Sequence, residues 1–76
     1  MLVKVWPKNG TAHLWTYENF KSEVNATLVD FSTNGNIIKY IIYEIPQPIP
    51  KSIFSKYGFN YRILKSYKSN NTSNRT

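Results

Sequence analysis

At the start of the chain Val3 and Val5 alternate with Leu2, Lys4 and Trp6, and Pro7 follows. A period of two predicts a strand, closed by a residue that has no amide donor. Lys8-Asn9-Gly10 then reads as a turn, because Asn and Gly accept positive φ at low cost. Residues 11 to 15 fit either a short strand hairpinned onto the first or a loop leading into a helix, and the strand is preferred. From Thr16 the period lengthens. Tyr17, Phe20 and Val24 share one helical face while Lys21 and Glu23 fall elsewhere. A short amphipathic helix is expected, with Thr16 as N-cap, Glu18 in the first turn and Asn25 as its stop.

The pattern then returns to a period of two. Residues 27 to 32 and 36 to 45 are rich in β-branched and aromatic side chains, and Thr33-Asn34-Gly35 joins them, so they predict a β-hairpin. The second of these runs, IIKYIIYEI, is apolar on both faces through its middle, which places it centrally in a sheet. Pro46, Pro48 and Pro50 forbid a ladder and impose an extended connector. Their spacing differs from the P-x-x-P of proline-rich ligands. Ile53, Phe54 and Tyr57 have helical spacing before Gly58, so a second short helix is expected over residues 50 to 57, with Pro50 at its first position. Residues 59 to 67 predict a last strand with Phe59, Tyr61, Ile63 and Tyr67 on one face and Arg62 and Leu64 on the other. Residues 69 to 76 hold no apolar side chain and read as a disordered polar tail.

These elements give one α+β domain over residues 1 to 68: a mainly antiparallel sheet of four or five strands with two short helices on one face. The order β(β)αββαβ is nearest to a ferredoxin-like arrangement. A hydrophobic fraction of 41% and an aromatic fraction of 16% let so short a chain build a core from few, large side chains.

Charge changes the picture more than composition does. Residues 1 to 45 balance four lysines against four acids, whereas residues 46 to 76 hold six cations and no acid, which accounts for the whole net charge of +6. Such asymmetry favours an anionic partner such as nucleic acid, an acidic protein surface or an anionic membrane. The absence of cysteine excludes disulfides and thiol chemistry. No signal-like start and no long apolar run is present, so a soluble cytoplasmic protein without membrane insertion is expected. Five Asn-x-Ser/Thr triplets then read as products of an Asn-rich sequence rather than glycan sites.

One sheet face in this arrangement carries no helix. RNA-recognition-motif domains use such a face, with rings stacking on bases and cations meeting phosphates. The stretch NIIKYIIYEI lacks their glycine and their aromatic spacing, so only the architecture is comparable. Candidates for such a surface are Lys4 and Trp6, Lys39 with Tyr43 or else Tyr40, and Tyr61, Lys65 and Tyr67, which share a face by even spacing. The expected phosphate contacts are Lys51, Lys56, Arg62, Lys65 and Lys68, with Tyr61, Tyr67 or Trp6 as stacking rings. The same residues also suit a plain core with a solvated edge, and Arg62 then falls awkwardly on the covered face.

Catalysis has little to stand on. His13 is the lone histidine and no acid or base is tied to it by spacing, while the four carboxylates include no good metal-binding pair and the glycines no phosphate loop. The expectation is a non-enzymatic nucleic-acid-binding module without metal or cofactor, taking single-stranded RNA or DNA. The alternative is a phage- or mobile-element-type protein that docks on an acidic host protein through exposed aromatics. The hairpin edge also offers sheet extension into a homodimer.

Overall fold

A computed structural model describes residues 1 to 65, in the order β1 (Leu2–Pro7), α1 (Leu14–Val24), β2 (Thr27–Asn34), β3 (Ile37–Glu44), α2 (Ser52–Lys56) and β4 (Phe59–Lys65). The four strands form one sheet in the order β2-β3-β1-β4, and every neighbouring pair is antiparallel. This is a small α+β domain with the βαββαβ order on which the ferredoxin-like expectation rested. The expected tail, together with Tyr67 and Lys68, lies outside the described residues. No helix among the described residues is long and apolar enough to cross a membrane.

The strand preferred for residues 11 to 15 is not there. Residues 11 to 13 are loop, and α1 begins at Leu14, two residues before Thr16. The topology explains the difference: β3 and β4 occupy both flanks of β1, so a hairpin strand has no edge to join. Thr16 is consequently inside the first turn, donating its N–H to the His13 carbonyl at 3.0 Å, and His13 is the N-cap without a side-chain cap bond. Glu18 falls a turn too late to meet the free amides. The stop is where the sequence put it. Asn25 takes the left-handed conformation (φ 56°, ψ 43°), and Ala26 N–H reaches the Lys21 carbonyl at 2.9 Å.

In the hairpin, Asn34 pairs with Ile37, so the loop is Gly35-Asn36 rather than residues 33 to 35. Gly35 has φ +64° at the first central position, as a type II′ turn requires, and β3 lies centrally as its apolar run predicts. The second helix is shorter than expected. It starts at Ser52, after Pro50, whose carbonyl accepts the Ile53 N–H at 3.1 Å.

Val3, Val5, Ile41, Tyr43 and Phe59 point to the side on which Tyr17, Phe20 and Val24 of α1 and Phe54 of α2 are buried. Phe20 sits at the centre, its ring 5.4 to 5.7 Å from those of Tyr43, Phe54, Tyr57 and Phe59. Edge-on and tilted aromatic contacts of this kind add attraction beyond the area they bury. Across the surface of the helical layer, Glu23 of α1 accepts hydrogen bonds from the Lys56 ammonium and the Tyr57 hydroxyl, tying the two helices together. The Tyr43 hydroxyl donates to the Tyr17 carbonyl at 3.3 Å, whereas the buried Tyr17 hydroxyl has no partner among the described residues.

Candidate nucleic-acid interface

Side chains on directly opposed residues of antiparallel strands share a face. On β1, Val3 and Val5 are buried under the helices, so Leu2, Lys4 and Trp6 belong to the uncovered face. Lys4 is opposite Ile42 of β3 on one flank and Arg62 of β4 on the other. The Lys4 ammonium lies 4.2 Å from the centroid of the Tyr40 ring and 5.7 Å from that of Trp6. Two cations thus stand side by side on an inner strand and its edge neighbour, and two aromatic rings lie near one of them. Cations stacked over ring faces are attracted by the ring quadrupole, which fixes Lys4 against solvent.

The register of β4 decides which of its two faces the helices cover. Tyr61 pairs with Val5 and Ile63 with Val3, so these residues face the helices, and the Tyr61 ring lies flat on Phe54 with centroids 4.0 Å apart. Arg62, expected on the covered face, is on the open one opposite Lys4. Even spacing fails to keep Lys65 with Tyr61, because a register shift pairs Lys65 with Leu2 and moves it to the open face. Of the two alternatives on β3, Tyr43 is buried in the core and Tyr40 lies on the open face. Lys39 is exposed at the irregularity opposite Ser32 and Thr33.

Of the remaining expected cations, the two described ones, Lys51 and Lys56, do not converge with these. Lys51 precedes α2 and Lys56 ends it, so both belong to the helical layer, and Lys56 is paired with Glu23 at 2.9 Å. The open face brings together Lys4, Trp6, Tyr40, Arg62 and Lys65. The expected phosphate contacts leave out Lys4, although its alternation with the buried Val3 and Val5 is a signal that the sequence does carry. Charge on this face is divided across the sheet. Asp30 and Glu44 lie on the β2 and β3 side, while Lys4, Arg62 and Lys65 lie on the β1 and β4 side.

His13 lies elsewhere, in an open depression of about 310 Å³ at the start of α1, with Lys8, Asn9 and Thr16 also in its lining. Its ring stacks near Trp15 at 6.1 Å. Among the described residues, no carboxylate lines this depression. Among the described residues no three metal-binding side chains converge. No family model matches the chain, and neither curated proteins nor solved structures show a match to it.

Proposed function

We propose that this chain is a small non-enzymatic module that binds single-stranded nucleic acid on the uncovered face of its sheet. The observation that carries the reading is the Lys4–Arg62 pair. Like charges directly opposite each other on neighbouring strands repel, and a phosphate between them relieves that cost. Phosphates draw the Lys4 ammonium off the Tyr40 ring, which frees Tyr40 and Trp6 to stack on bases. Lys65 extends the cationic track along β4. Lys51 and Lys56, on the helical layer, add to the long-range field rather than to contacts.

A second reading, docking on an acidic protein, is favoured by one observation. Leu14 and Trp15 are 60% and 64% exposed at the start of α1, and the Trp15 ring stacks near that of His13 at 6.1 Å. An exposed Trp suits an interface anchor.

Fluorescence separates the two. In a Trp15→Phe variant only Trp6 reports, and it lies on the open face. Titration with mixed-sequence single-stranded RNA, single-stranded DNA and duplex DNA should quench Trp6 with the single strands. Three phosphate contacts imply a slope of about −2 for log K against log salt. Absence of salt-sensitive quenching by all three overturns the nucleic-acid reading and leaves the protein-docking one.

A further inference from the structure

We propose that the outer edge of β2 is a self-association surface for a second copy of this chain, and that Asp30 keeps it closed. β2 is the outermost strand of the sheet on its side, eight residues long, with neither Lys nor Pro along it. Strands at sheet edges are commonly blunted by such residues, because their free amides and carbonyls otherwise recruit another strand. Its apolar side chains are uncovered as well. Leu28 and Phe31 point towards the helical side, opposite Tyr43 and Ile41, yet the helices leave them 47% and 56% exposed, and Val29 beside them is 51% exposed.

The charge distribution selects a second copy as the occupant. Residues 1 to 45 have no net charge, and the cations Arg62 and Lys65 lie on β4, at the far edge of the sheet. Copies meeting through β2 about a two-fold axis keep their basic edges apart, whereas meeting through β4 would bring them together. Nucleic acid has nothing to hold on β2, whose one charged residue is Asp30.

Asp30 closes this edge in two ways. Its carboxylate accepts the N–H of Phe31 at 2.8 Å, so a mid-strand donor needed for pairing is already satisfied. Asp30 also sits near the middle of β2, so antiparallel pairing of two copies would bring two carboxylates close together. The register shifts at Leu28/Asp30 and Ser32/Thr33 bend the strand further from a flat template.

The test is sedimentation of the full chain and of Asp30→Ala over the micromolar range. The native chain should remain a monomer of 8.9 kDa and Asp30→Ala should double that mass. Asp30 is exposed, so the substitution leaves the core untouched, and circular dichroism checks this. Adding Val29→Lys to Asp30→Ala places a cation on the edge and should restore the monomer. A native dimer, a monomeric Asp30→Ala, open-ended assemblies of that variant, or a doubly substituted chain that still pairs would each overturn the proposal.

Discussion

Lys4 and Arg62 stand opposite each other on adjacent central and edge strands, on the one face of the sheet that no helix covers. Replacing both with Ala removes the central cationic pair and leaves the core intact. Affinity for single strands should fall for all sequences alike, and the salt slope should flatten by about 1.4, from about −2 to about −0.7. The fluorescence titration at several salt concentrations measures both.

Tyr40 and Tyr61 are separated by the sheet itself, and their substitutions should separate too. Tyr40→Ala removes a ring on the open face and should weaken single-strand binding by about 1–3 kcal/mol with little loss of stability. Tyr61→Ala removes the ring stacked on Phe54 and should do the reverse, lowering the urea midpoint while binding at low denaturant is kept. Equal effects of the two on binding would contradict the face assignment.

The face assignment was also the least legible part of the sequence. Parity grouped Phe59, Tyr61 and Ile63 correctly, but β4 is apolar on both sides through Leu64, so grouping did not say which side is covered. The deciding residues are on another strand: Val3 and Val5 fix the covered face, and register carries it across to Ile63 and Tyr61. Lys65 parted from Tyr61, with which even spacing had grouped it, because a bulge leaves no mark in local composition. What could be read was whatever is encoded locally. The Tyr17-Phe20-Val24 stripe, the left-handed Asn25, the glycine of the hairpin turn and Gly58 (φ +73°) all appear where nearby residues demand them. The strand expected over residues 11 to 15 failed because only the whole sheet reveals that β1 has no free edge.

Tyr17 should be better as phenylalanine. Its hydroxyl is buried without a partner among the described residues, and an unsatisfied buried donor costs about 1–3 kcal/mol. Tyr17→Phe keeps the stack on Phe59 (4.8 Å) and should raise stability by about 1 kcal/mol, read as a higher urea midpoint at unchanged slope.

Alkali should loosen the core through the same neighbourhood. Burial, and then the nearby Glu18 and Tyr17, push the Tyr43 hydroxyl well above the usual phenol range, and burial also raises that of Tyr17. Because both folded-state values lie above the unfolded ones, their stability is full below about pH 10 and is lost as pH rises beyond it. Denaturation curves across that range should show the decline, and it should be shallower in Tyr43→Phe.

Acid acts on the helical layer instead. The Tyr57 hydroxyl, then the Lys56 ammonium, hold the Glu23 carboxyl below the usual range. A depressed folded value means stability that is present above the unfolded value and lost as pH falls through the folded one. The contribution is small because the pair is solvated. Glu23→Gln should remove that acid-limb loss and also a small part of the alkaline one, because Glu23 raises the Tyr57 hydroxyl and the Lys56 ammonium.

The strand order has a consequence for synthesis. β1 leaves the ribosome first, yet its two neighbours are β3 and β4, the last of which ends at Lys65. Until that segment emerges, Val3 and Val5 keep one open flank, and the nascent chain can assemble at most a three-stranded intermediate. Contacts between opposite ends of the chain form slowly, since loop closure must precede any gain from pairing. A stalled or truncated product lacking β4 would therefore present the unpaired flank of β1 to chaperones and proteases, and the domain would reach its cooperative state only once β4 has emerged.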